Sequence, residues 1–168
     1  MNLFDLTDRV VVLTGATGVL GTSIINYFAL QGAKVVLVVR ERSIEKGECI
    51  AQDIRNAGGD ALCVIADVMN KESLEEACAK VMEKYGRVDV LMNAAGGNMP
   101  AATVAPDKTI FDLDTDAVKT VSDLNLFGTV LPTMVFAKAM VEQKSGSIIN
   151  FASESALRPL TRVAGYGV

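Results

Sequence analysis

The chain reads as a doubly wound α/β layer, a parallel sheet with helices on both faces, built as a single domain of 168 residues. Two observations carry that expectation. Five short segments rich in valine and isoleucine are apolar without alternation, the pattern of strands buried on both faces. Between them lie stretches with apolar residues at helical spacing, so each strand feeds a helix and the strands must run parallel. A composition that is 50% apolar supports a packed core at this length.

The first strand is "RVVVLTG", which runs into the glycine-rich "LTGATGVLGTSI" and a helix over 18–31. A glycine in "QGAK" fits a C-terminal cap of that helix, and "AKVVLVV" follows as the second strand. The next helix, 43–57, ends in the same way at "AGGD" before the third strand, "ALCVIADV". Over 71–85, Leu74, Ala77, Val81 and Met82 share one helical face with charges opposite. "VDVLMNAAG" is the fourth strand, and from its C-terminal end departs the one long irregular connection, 97–112. Open α/β sheets bind their ligands at that edge. A long helix over about 114–143 then precedes the fifth strand, "GSIINFAS". No internal repeat or low-complexity linker interrupts the order.

Sixteen basic and twenty acidic residues leave a net charge of −4, without a basic block of the kind that follows nucleic acid or an anionic membrane. Small molecules are the expected partners. Apolar runs are broken by charge or glycine before the roughly 18 residues that cross a bilayer, and "MNLFDLTDRV" lacks a signal-peptide layout, so the cytoplasm is the expected location. Cys49, Cys63 and Cys78 are widely spaced and odd in number, which suits reduced packing residues. Histidine is absent, so imidazole bases, His-based triads and His-ligated metals are excluded, and no metal site is expected.

In "LTGATGVLGTSI" the glycines stand where the first strand turns into the first helix. Amides at a helix N-terminus point outward with the positive end of the dipole and can hold a diphosphate if no side chain blocks its approach. Gly15, Gly18 and Gly21 remove those blocks, Thr14 and Thr17 add hydroxyls, and Gly21 lets the helix lie close to the strand. The alternative is a plain tight turn; the strand-before, helix-after context favours a Rossmann-type dinucleotide fingerprint. At the end of the second strand, Val39 takes the place of the acidic residue that would accept both ribose hydroxyls, and Arg40 follows. An arginine there attracts a 2′-phosphate, so NADP is expected, with NAD left open because the neighbouring Glu41 can also reach a ribose.

Taken together, "TGATGVLG" at 14–21, "ADV" at 66–68, "NAAG" at 93–96, "LNLFGT" at 124–129, and Ser153 with Tyr166 resemble the short-chain dehydrogenases/reductases across essentially the whole chain. The resemblance implies cofactor binding by Gly15, Thr17, Gly18, Leu20 and Gly21 and by Arg40, with Asp67 accepting from the adenine amino group, Val68 supporting it, and Asn93, Ala94 and Gly96 along the ribose. It also implies the chemistry. Tyr166 would transfer a proton while hydride moves between nicotinamide and substrate carbon, Ser153 would hold the substrate oxygen, and Asn125 would fix a helix bend and a water. On the residues alone, Asp67 is a turn cap, Asn93 a strand end, Asn125 a buried amide and Ser153 a loop hydroxyl.

Two departures stand out. Val19 occupies the middle glycine position of the single-domain subclass, and the resulting spacing is typical of the extended subclass of epimerases and dehydratases. The family's lysine, four residues after the tyrosine, would fall at position 170, beyond Val168. The chain is therefore expected to be an N-terminal portion, inactive or nearly so as it stands, with an apolar flank beyond its fifth strand. "AAGGNMPAATVAPDKTIFDLD" with "LNLFGTVLPTMVFAKAM" is similar to the sugar-acid branch of D-mannonate oxidoreductases, or fructuronate reductases. On that reading Asn98 would bond a substrate hydroxyl and Arg158 or Arg162 would pair with a carboxylate, unless the arginines are solvated loop charges. The readings left open are an extended-subclass epimerase or dehydratase and a dinucleotide-binding module without catalysis. Homo-oligomerisation, as dimer or tetramer through the helices at 71–85 and 114–143, is implied by the resemblance.

Overall fold

A computed structural model of the chain describes residues 4–158 and 160–167. Five strands, β1 (Val10–Thr14), β2 (Lys34–Val39), β3 (Asp60–Ile65), β4 (Val90–Asn93) and β5 (Ser147–Asn150), alternate with four helices. The helices are α1 (Val19–Leu30), α2 (Ile44–Asn56), α3 (Lys71–Tyr85) and α4 (Thr115–Glu142). All strand pairs are parallel, in the order β3-β2-β1-β4-β5. The chain thus winds outward one way from β1 to β3, then crosses back to β4. That reversal opens a crevice beyond the C-terminal ends of β1 and β4.

Alternation along β1 sends Val10 and Val12 to one face and Val11 and Leu13 to the other. The first face packs against Leu74, Val81 and Phe136 of α3 and α4, and the second against Ile25, Ile50 and Ile54 of α1 and α2. Helices therefore cover both sides of the sheet, as the continuous apolar strands require. Gly32 (φ +86°) and Gly58 (φ +88°) take left-handed backbone just beyond α1 and α2, in line with their expected capping role. At the opposite end from the crevice, buried Asp89 accepts from Arg87 Nη2 at 2.6 Å, Arg87 Nε and the Val10 amide at 2.9 Å, and Arg9 Nη1 at 3.1 Å. Burial would raise this carboxyl, but those hydrogen bonds outweigh it and hold the group below the ordinary carboxylate range.

One expectation is corrected. The fifth segment is not buried on both faces: every residue of β5, paired with β4, is exposed, because among the described residues it joins none of the apolar clusters that pack the sheet against the helices. In α4 an apolar window of mean hydropathy 1.5 is long enough by length and composition to cross a membrane, although Gly128 and Lys138 interrupt the helix's apolar residues. This helix lays Val121, Val135, Phe136 and Met140 into the interior and leaves Leu126, Phe127 and Met134 exposed.

Candidate active site

The crevice is built from a turn that only glycine can make. Buried Thr14 ends β1, and its Oγ1 accepts from the amides of Ala94 and Ala95, each at 3.1 Å, tying the turn to the end of β4. Gly15 follows at φ +69°, where a Cβ would meet the Ala94 carbonyl oxygen at 2.8 Å. The Gly18 amide closes the turn on the Gly15 carbonyl at 3.0 Å, and no side chain caps α1. A Cβ on Gly21 would overlap the Gly15 carbonyl oxygen, so this glycine sets how closely α1 approaches the turn.

Two cavities flank the turn. One, of about 530 Å³, is lined by Thr17, Val39, Arg40, Ser43, Asp67 and Val68. The other, of about 510 Å³, is lined by Leu20, Asn93, Asn125, Phe151, Ser153 and Tyr166. They share Gly15, Gly18, Ala94, Ala95 and Gly96, so the cleft has two lobes joined across the glycine turn. A ligand made of two nucleosides bridged by a diphosphate fits that outline. A Cβ at Gly15 would strike the Ala94–Ala95 backbone, so glycine is what lets the turn lie against the end of β4, and the α1 amides beyond it are suited to the bridge.

The polar side chains have distinct attachments. Asp67 Oδ1 accepts from the Met69 amide at 2.9 Å, while its other carboxylate oxygen has no bond of its own in this turn. Asn125 donates to the carbonyls of Gly97 and Val121, each at 2.8 Å, and accepts from the Gly97 amide at 3.1 Å, so its amide is spent on holding the 96–97 loop against α4. A Cβ on Gly96 would lie 2.6 Å from Asn125 Oδ1, which explains a glycine there. Asn93 is 2% exposed and turns its amide inward to Thr133 Oγ1 and Asn150 Oδ1, each at 2.9 Å, so it forms the floor beneath the second lobe. Ser153 Oγ accepts from the Ser155 amide and donates to Ser155 Oγ, both at 3.2 Å.

Tyr166 packs its ring against Ala102, Ala117 and Val121, which places the long 97–112 connection and α4 behind it. The same connection is hooked to the tyrosine's own segment by Val104 N to the Arg162 carbonyl at 2.8 Å and Gly165 N to the Ala102 carbonyl at 3.2 Å. Ser153 and Tyr166 thus face one cavity from separate segments. The three residues expected to meet substrate do not line it. Arg162 Nη1 donates to the Ala105 carbonyl at 2.7 Å, Arg158 sits 3.8 Å from Glu154 at the surface, and Asn98 donates to Thr103 Oγ1 at 3.0 Å.

Several residues of the site escaped the sequence reading. Ala95 adds a second amide to the Thr14 tie, and Ser43 and Phe151 close the two lobes. Asn125, Thr129 and Thr133 form a polar ladder along α4, with Thr129 donating to the Asn125 carbonyl and Thr133 to that of Thr129. Their four-residue spacing is the signal that could have found it. The cysteines are free thiols, and burial pushes Cys63 up to about 11, which makes it inert. Among the described residues no three His, Cys, Asp or Glu side chains gather as a metal site.

A 3-2-1-4-5 parallel sheet with a glycine turn at its switch point and a two-lobed cleft defines a dinucleotide-binding α/β protein. The chain belongs to the short chain dehydrogenase family, whose sequence profile matches residues 9–168. UxuB of Bacillus subtilis (strain 168), an uncharacterized oxidoreductase, is 36% identical over 170 residues, covering 96% of this chain and 60% of that protein. A crystal structure provisionally assigned as a D-mannonate oxidoreductase from Haemophilus influenza, with bound NAD, superimposes with a TM-score of 0.91 at 32% identity over 97% of this chain and 61% of that one. An NAD+-bound xylitol dehydrogenase gives a TM-score of 0.86 at 26% identity, covering 96% and 59%. The chain spans about three fifths of the length of these relatives.

Proposed function

We propose that this chain belongs to an NAD(P)-dependent oxidoreductase that moves hydride between nicotinamide and a carbonyl or alcohol carbon of a sugar acid of the fructuronate or mannonate type. The observation that carries the reading is the pair of lobes meeting at Gly15 and Gly18, with Ser153 and Tyr166 in one of them. Turn amides at the start of α1 hold the diphosphate, Asp67 and Val68 receive the adenine, and Leu20 lies along the second lobe. When bound, the nicotinamide supplies or accepts the hydride. Tyr166 gives or takes the proton at the substrate oxygen, and Ser153 Oγ turns from Ser155 to donate to that oxygen. Asn125 fixes the 96–97 loop in the wall of the cleft.

NADP is the preferred cofactor on this reading, because Arg40 lines the adenosine lobe and the side chain before it, Val39, is buried and apolar. NAD in the Haemophilus influenza neighbour supports a nicotinamide cofactor in general. The sugar-acid substrate draws support from that neighbour and from the polyol substrate named for the xylitol enzyme. Exposed Leu126, Phe127 and Met134 on α4 support self-association. The test is to give the full-length protein fructuronate and related keto-acids with each reduced cofactor and follow nicotinamide absorbance. Stoichiometric loss with one acid, faster with NADPH, is the expected result; binding of cofactor with no turnover of any keto-acid would refute the substrate class. The Gly15–Gly18–Gly21 spacing favours a second reading, an epimerase or dehydratase, which would convert substrate without net change in absorbance.

A further inference from the structure

A cation bonded to the backbone of a residue that lines the first lobe has no part in the reading above. Lys46, in the first turn of α2, reaches across to the glycine turn and donates from Nζ to the Thr17 carbonyl at 2.7 Å. Thr17 lines the first lobe, as do Arg40 and Ser43. Ser43 precedes α2 without capping it through its side chain, so its hydroxyl is not committed to the helix. Val39, at the place from which a carboxylate would claim the ribose hydroxyls, is 3% exposed and apolar.

An exposed lysine ordinarily loses substantial side-chain entropy when it meets a ligand. Anchored on a backbone carbonyl, this one has met part of that cost before binding. An ammonium carries three donors and Thr17 takes one, which leaves two for an anion beside Thr17. We propose that Lys46 is a specificity-determining residue that, with Arg40, receives a phosphate carried on the adenosine ribose. The inference rests on the dinucleotide reading of the cleft and goes further by adding a residue that the end of β2 does not supply. A phosphomonoester brings about −1.5 to −2 charges near neutral pH, whereas an unmodified ribose hydroxyl brings none. The cation therefore discriminates between the two.

2′,5′-ADP and 5′-AMP differ in that phosphate alone, so their calorimetric affinities for the full-length protein isolate its contribution. Lys46→Met should weaken 2′,5′-ADP about fivefold to tenfold and 5′-AMP less than about twofold, with Lys46→Arg retaining most of the affinity. Melting temperatures of the variants report whether they fold. Equal weakening of both nucleotides would assign Lys46 to the shape of the turn and overturn the proposal, and so would an unchanged affinity for 2′,5′-ADP. If the unmodified protein binds neither nucleotide, the dinucleotide reading fails first and the Lys46 assignment falls with it.

Discussion

Substituting Gly21 by alanine tests the physical basis of the cleft. The new Cβ would overlap the Gly15 carbonyl oxygen and lie 3.0 Å from Ala16 Cα. Both are backbone atoms, so no side chain can swing aside and α1 itself must move off the turn. Overpacking of this kind costs about 1–3 kcal/mol. For a domain of this size each kcal/mol lowers Tm by about 2–4 °C, so a fall of roughly 2–12 °C is expected in a thermal melt. The same displacement pulls the first amides of α1 away from the diphosphate position, and dinucleotide affinity should drop by about tenfold or more. Gly18→Ala is the internal control for the melt. Gly18 has φ −69°, ordinary for any residue, and its Cβ would meet only the Gly15 carbonyl oxygen at 3.3 Å. That change should cost less than about 1 kcal/mol. If Gly21→Ala melted and bound nucleotide like the unmodified protein, close approach of α1 would not be what shapes this cleft.

Three further outcomes follow from the same geometry. Tyr166→Phe and Ser153→Ala in the full-length protein should each lower kcat by about 10²–10⁴ while nucleotide affinity stays within about threefold, since neither lines the adenosine lobe; steady-state kinetics beside calorimetry decide it. Asn125→Ala removes three hydrogen bonds that hold Gly97 and Val121, so hydrogen exchange over residues 95–98 should accelerate and kcat should fall, whereas unchanged exchange would contradict the positioning role. Asp89→Asn should destabilise the fold by about 2 kcal/mol at neutral pH, because it loses charge-assisted bonds from Arg87 and Arg9, both of which remain partly solvated. The Asp89 carboxyl is depressed in the folded state, so its contribution is fully present above the unfolded value of about 3.9 and is lost as pH falls through the folded one. Denaturant melts should therefore show the two proteins converging below about pH 4.

The elements and their order were legible in the residues because the signals are local. Unbroken valine-rich runs can be buried only between two layers, and left-handed glycines at 32 and 58 end α1 and α2 where the turn chemistry said they would. The glycine turn was legible for the same reason, since a strand, three glycines and a helix are contiguous in the chain. What the residues alone did not determine depends on contacts between distant positions. Arg162 is drawn from the cleft by the Ala105 carbonyl, 57 residues away, and Asn93 is turned into the floor by Thr133 and Asn150, 40 and 57 residues on. β5 carries the same apolar pattern as its neighbours yet lies exposed, because burial is a property of what packs against a strand and not of the strand. Backbone geometry is set within a few residues, whereas a side chain's partner is set by the whole packing of the domain, and that is why the glycine turn could be read in advance and the attachments of Asn98, Arg158 and Arg162 could not.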